Sequence, residues 1–155
     1  REAVAGLGGD TTGDVLSAVS RLDGEYVAWP EVAVATAALR RDRLVAGVSN
    51  GDLDALARLA NSNGISWDMA LSTAAVGTFK PDPAAYRYAI ETLRIDPSRT
   101  LFVAAHPWDL RAASEHGFRT AYISRPGAKR PTPDDRFDLA CDDLTAIVTL
   151  LAQGR

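Results

Sequence analysis

The 155-residue chain has the size of one domain and can bury a core without covalent staples. Its 46% hydrophobic and 24% charged residues are a globular balance, and a net charge of −3 argues against nucleic acid or an acidic membrane surface as partner. Cys141 is the only cysteine, which excludes an internal disulfide and fits a reducing, cytoplasmic setting, and no apolar run is long enough to span a membrane.

The first residues, Arg1-Glu2-Ala3-Val4, carry neither an initiator Met nor a signal-peptide core, so a processed or trimmed chain is expected. Gly6, Gly8 and Gly9 loosen the start. Asp10 to Leu22 then reads as a helix, capped by Thr12, with Val15, Leu16, Val19 and Leu22 on one face. Pro30 suits a first helical position, and helix continues from Val32 to Arg40. Leu44 to Val48 is a short apolar run, predicted to be a buried parallel strand that ends at Ser49-Asn50-Gly51. A helix from about Leu53 to Ala60 is stopped by Asn63-Gly64. Met69 to Ser72 is a further short strand. Asp82-Pro83 forms a cap and first-turn pair for a helix running to Leu93. Leu101 to Ala105 is the second clear buried strand, Pro107 opens the next helix and Gly117 ends it. Thr120 to Ile123 is a strand, Arg125 to Arg136 a loop, Leu139-Ala140 a short last strand, and Leu144 to Leu151 the final helix.

Strands that alternate with helices imply βαβ units: an α/β, Rossmann-like parallel sheet flanked by helices. Ligands in such sheets bind beyond the carboxyl ends of the strands, so the polar residues there are the candidates. Ser49 and Asn50 offer a hydroxyl, an amide and the free N–H groups of a helix start, a cradle for an anion; taken alone, they serve equally well as turn or cap residues. Lys80 stands before Pro81-Asp82-Pro83, which stiffen the backbone and could aim its ammonium at a carboxylate or phosphate. The alternative is a solvated loop lysine. Asp109 lies at a helix start, where the dipole favours a carboxylate in any case; its functional reading is to orient Lys80 or a water. His106 is a candidate general base, and Trp108 is either packing or a substrate wall.

Three segments, Val48-Ser49-Asn50-Gly51, Phe79 to Tyr86 and Phe102 to Asp109, resemble the second, third and fourth motifs of the haloacid dehalogenase superfamily. The likeness runs from about Trp29 to Ala152. The phosphatase branch usually carries an early acidic residue in the fourth motif to help hold Mg²⁺, where this chain has Ala104-Ala105-His106. Trp108-Asp109 is similar instead to the metal-free (S)-2-haloacid dehalogenase branch. In that branch an aspartate displaces the halide, and water hydrolyses the resulting ester. The resemblance implies that Ser49 and Asn50 bind the substrate carboxylate or departing halide. It implies that Lys80 stabilises the anions, that Asp109 holds Lys80 or the hydrolytic water, and that Tyr86 lies near the substrate; His106 and Trp108 are further candidates for substrate binding. Where that branch tends to have Ser and Asn, this chain has Ala104 and His106.

The family's nucleophilic Asp ends a first, central strand that is not evident here. The stretch Ala3 to Gly9 before Asp10 resembles it only faintly, because its glycines make a poor buried strand. Residues 1–28 read instead as a cap-domain remnant and linker, and residues 29–155 as a core lacking its first strand. Two unpaired strand edges are therefore expected, and an N-terminal part carrying the nucleophile is expected in the parent protein. The expected function is a haloacid dehalogenase-like hydrolase that needs no cofactor and acts on a small anionic substrate, with the chain alone inactive. The alternatives are a Mg²⁺-dependent small-molecule phosphatase and a degenerate, non-catalytic binding domain. Similar dehalogenases form cap-mediated dimers, so the resemblance also implies a homodimer.

Overall fold

The computed structural model describes residues 26–154. The helix expected at Asp10–Leu22, the Asp10 candidate and most of the proposed cap remnant lie outside the described residues. The described residues form five strands and five α-helices, which alternate except where β4 leads to β5 without a helix: α1 (Val32–Leu39), β1 (Ala46–Ser49), α2 (Leu53–Asn63), β2 (Met69–Ser72), α3 (Pro83–Leu93), β3 (Leu101–Ala104), α4 (Pro107–Glu115), β4 (Arg119–Ile123), β5 (Leu139–Cys141) and α5 (Leu144–Gln153). Two 3₁₀ turns, Ala74–Val76 and Pro97–Arg99, complete the order.

Every strand pairing is parallel, and the strands form two groups, β1-β2 and β3-β4-β5. Among the described residues, β1 and β3 each have one edge without a strand partner. The apolar runs of both were expected to be buried, yet every residue of both is only half-buried, whereas four of the five residues of β4 are buried. The difference follows from position: β4 has strands on both sides, and β1 and β3 have one each.

The three-stranded group is covered on both faces. Phe102 of β3 packs with Tyr86, Ala113 and Phe118 toward α3 and α4. Its neighbours Leu101 and Val103 point the other way, onto Ala121, Ile123 and Ile147 beneath α5. This alternation is the period-2 geometry of a strand. The first strand begins two residues later than the apolar run predicts. The Val45 N–H donates to Asp68 Oδ2 (2.8 Å) instead of a ladder carbonyl, and Leu44 is exposed. Asp138 repeats this device at the other group, accepting the Thr120 N–H at 2.8 Å. Gly64 ends α2 in the left-handed region (φ 63°), where glycine carries no Cβ penalty. Gly47 has a different reason: a Cβ there would lie 2.9 Å from the Trp67 ring.

Gly47→Ala should therefore push the Trp67 indole aside and destabilise the fold by about 1–3 kcal/mol, read as a lower Tm; an unchanged Tm would mean that the indole has room to move. Hydrogen bonds hold two carboxyls below their ordinary range: Asp68 through the Val45 N–H and then Arg40, Asp138 through the Thr120 N–H and, against partial burial, Arg119. A depressed folded value gives stability that is complete above the unfolded value and lost as pH falls through the folded one. Tm should thus decline on acidification below about pH 4, and less steeply in the Asp68→Asn, Asp138→Asn double variant.

Candidate active site

The carboxyl ends of β1, β2 and β3 supply the polar residues. Ser49 is the last residue of β1 and Asn50 follows it; Thr73 follows β2; His106 to Asp109 lead from β3 into α4. Lys80 sits on the link into α3, beside a cis Lys80–Pro81 bond, and Asp82 caps α3 by accepting the Ala84 N–H at 2.8 Å.

Asn50 grips the backbone of Lys80 from both sides. The Lys80 N–H donates to Asn50 Oδ1 (2.7 Å), and Asn50 Nδ2 donates to the Lys80 carbonyl (3.1 Å). A backbone N–H can only donate, so the amide oxygen must face it. The same oxygen accepts the Thr73 hydroxyl at 2.8 Å. Ser49 Oγ accepts the Gly51 N–H at 3.1 Å, which leaves its hydroxyl proton able to donate.

The Lys80 ammonium reaches Asp109 Oδ2 at 2.6 Å, with side-chain exposures of 12% and 5%. It also lies 5.4 Å from the centroid of the Phe102 ring, a cation–π contact. The other carboxylate oxygen, Asp109 Oδ1, accepts the Tyr86 hydroxyl at 2.6 Å. Tyr86 is fully buried, tilted against Phe102 and stacked on His116. Burial first, and then the hydrogen bond to Asp109, push its phenol far above the ordinary range, so it is a permanent donor. Asp109 thus faces one cation and one neutral donor.

Of the residues singled out in the sequence, Asn50, Lys80, Tyr86 and Asp109 join one hydrogen-bonded network and Ser49 adjoins it. Tyr86 touches that network from behind, with its hydroxyl on the carboxylate. His106 and Trp108 stand apart, both exposed, stacked on each other at 5.8 Å between ring centroids. Sequence reading missed Thr73 and Phe102. Thr73 has no motif around it, but its place directly after a strand was a usable signal. Phe102 reads from sequence only as a strand core residue. A shallow concavity of about 400 Å³, lined by Arg111, Glu115, Thr132 and Asp135 among others, includes none of the network residues. Among the described residues, no group of three or more His, Cys, Asp or Glu side chains could hold a metal ion. No described helix is long and apolar enough to cross a membrane.

The family model of haloacid dehalogenase-like hydrolases matches residues 2–117. The (S)-2-haloacid dehalogenase 4A of Burkholderia cepacia is 32% identical over 106 residues, 66% of this chain and 46% of that protein. An (S)-2-haloacid dehalogenase of Pseudomonas sp. (strain YL) is 32% identical over 113 residues, 72% of this chain and 49% of that protein. A crystal structure of an L-2-haloacid dehalogenase superposes with a TM-score of 0.81 at 31% identity, covering 98% of this chain and 68% of that one. The chain spans about half the length of the curated relatives it matches. The parallel α/β fold, the motif residues at its strand ends and the family match lead to one conclusion: the chain belongs to the haloacid dehalogenase-like hydrolases.

Proposed function

We propose that the complete protein is an (S)-2-haloacid dehalogenase acting on a small 2-halocarboxylate. The observation that carries this reading is the buried Lys80–Asp109 pair at the strand ends, its ammonium fixed at both main-chain and side-chain level. A carboxylate nucleophile and a carboxylate substrate repel each other, and a desolvated cation between them offsets that repulsion. The edges of β1 and β3 that have no strand partner among the described residues support a further strand between them in the complete protein, ending in the nucleophilic Asp beside Lys80. The core would then be residues 29–155 together with that strand, with residues 1–28 belonging to the cap.

In the first step an oxygen of that Asp attacks the carbon bearing the halogen. A C–O bond forms, the C–halogen bond breaks, and the halide leaves with the electron pair. Water then attacks the carbonyl carbon of the aspartyl ester, the acyl C–O bond breaks, and a 2-hydroxy acid and a proton to solvent are released as the carboxylate is restored. Lys80 balances the negative charge on the nucleophile and on the substrate carboxylate. The Ser49 hydroxyl and the second N–H of Asn50 are donors for that carboxylate or the halide. Asp109, held by Tyr86, keeps Lys80 aimed. His106 and Trp108 form an aromatic rim.

A metal-independent mechanism is supported by the use of both Asp109 oxygens, one on an ammonium and one on a phenol, and by Ala104-Ala105 where an acidic metal ligand would stand. The single cysteine supports a cytoplasmic setting. Chloride release from (S)-2-chloropropionate, set against phosphate release from an aryl phosphate with Mg²⁺, tests the reading. Chloride release alone is expected. Phosphate release would favour the phosphatase, and neither product would favour a non-catalytic domain.

Lys80→Met should reduce kcat for chloride release at least about 100-fold. It should also destabilise the protein by about 3–5 kcal/mol, because Asp109 would remain buried without its cation; kinetics and urea unfolding read the two effects separately. Tyr86→Phe removes one donor from a buried carboxylate and should cost about 1.5–3 kcal/mol of stability, with a smaller loss of kcat than Lys80→Met.

A further inference from the structure

We propose that Thr73 is a positioning residue for Lys80, acting through the Asn50 side chain without touching substrate; the proposal rests on the reading of Lys80 as the cation of the reaction. Thr73 is completely buried and sits immediately after β2, across the β1-β2 pair from Asn50. Its backbone N–H donates to the Ser49 carbonyl (2.9 Å), continuing the register of the pair by one residue. That bond fixes where its side chain starts. Its hydroxyl then donates to Asn50 Oδ1 at 2.8 Å.

The consequence lies in the Asn50 amide. Asn50 carries a terminal torsion that is broad and roughly two-fold, so only its hydrogen bonds set its plane. Oδ1 accepts from Lys80 N and from Thr73 Oγ1, and Nδ2 donates to Lys80 O. The two contacts to Lys80 alone form a ring that could swing as a hinge about the Asn50 side chain. The Thr73 hydroxyl pins that hinge from a buried point. Lys80 otherwise sits on a link between a 3₁₀ turn and α3, outside any strand ladder, and its ammonium must meet Asp109 and Phe102 at the far end of a four-carbon stem. A small error in its backbone would be carried to the charged end, and misplacement of a catalytic group lowers rate steeply. Thr73 also organises the turn that leads toward Lys80, because its carbonyl accepts the N–H groups of Val76 (3.2 Å) and Thr78 (3.1 Å). Substitutions of the side chain leave those backbone bonds in place, so the hydroxyl can be tested alone.

The test uses the complete protein and the variants Thr73→Val and Thr73→Ser. Two quantities are measured: hydrogen exchange of the Lys80 amide relative to core amides such as Ala121 and Ile147, and kcat and KM for chloride release from 2-chloropropionate. Thr73→Val should speed exchange at Lys80 about tenfold with the core amides unchanged, and lower kcat/KM by about the same factor. Thr73→Ser, which keeps the hydroxyl, should restore both to within about threefold. Should Thr73→Val fail to fold, Thr73→Ala removes the hydroxyl without setting a methyl against Asn50 Oδ1. Unchanged exchange at Lys80 overturns the proposal, as does equal acceleration at Lys80 and in the core. Faster exchange at Lys80 with kcat/KM unchanged also overturns it. If the wild-type protein releases no halide, the dehalogenase reading fails by itself, and the exchange pattern alone decides whether Thr73 holds Lys80.

Discussion

A buried cation beside a buried carboxylate sets the terms for everything around it. Lys80 and Asp109 are both almost removed from water and meet at 2.6 Å. Taking two charges out of water costs several kcal/mol each, and their attraction offsets this only when the geometry is good and the remaining polar atoms are satisfied. The surroundings answer both demands. Asn50 fixes the Lys80 main chain, the Phe102 ring lies near the ammonium, and Tyr86 occupies the second carboxylate oxygen. Each neighbour corrects a cost that the pair would otherwise carry, and together they hold the ammonium in one place.

That pair also joins two parts of the fold that share no strand ladder among the described residues. Asn50 belongs to the β1-β2 part and Asp109 to the β3-β4-β5 part, and Lys80 touches both. Other polar contacts reach across in the same way. Glu31, just before α1, pairs with Arg125 after β4 and also accepts the Leu144 N–H at the start of α5 (3.5 Å). Burial pushes the Glu31 carboxyl up, but Arg125 and the backbone donors outweigh it and hold it below its usual range. The Arg125 guanidinium lies 4.9 Å from the Trp29 ring centroid, and Arg43 donates to the Leu151 carbonyl at 3.1 Å. The packing of α1 against α5 adds a further link between the parts.

Much of this was legible in the sequence because local chemistry and fold agreed. Asp82-Pro83 gave a helix start that the Ala84 N–H contact matches, Met69–Ser72 is a strand with its expected bounds, and Gly64 stops α2 in the left-handed region. What was not legible depends on contacts distant in sequence. The start of β1 is set by Asp68, 23 residues away from Val45. The half-burial of β1 and β3 depends on which strands lie beside them, and no apolar run encodes that. At the candidate site, Ser49, Asn50, Lys80 and Asp109 were visible as polar residues at strand ends. The use of the Asn50 amide on Lys80 was not, because it requires knowing that a link 30 residues later folds back over it. Thr73 was missed for a related reason: its place after a strand marks it, but its role depends on Asn50, 23 residues away.

The β1 and β3 edges, without a strand partner among the described residues, bring the site and the fold into one problem. Unpaired backbone groups at a strand edge seek a partner, and each polar contact that crosses between the two parts is worth only about 1–3 kcal/mol. Those contacts are too weak to substitute for a central strand with neighbours on both sides, but they are directional. They set the end of β1 in a definite relation to the helix start that follows β3. Asn50 and Asp109 thereby both hold Lys80, one at its main chain and one at its ammonium. The network that aims Lys80 at Asp109 is thus also a link between the two strand groups.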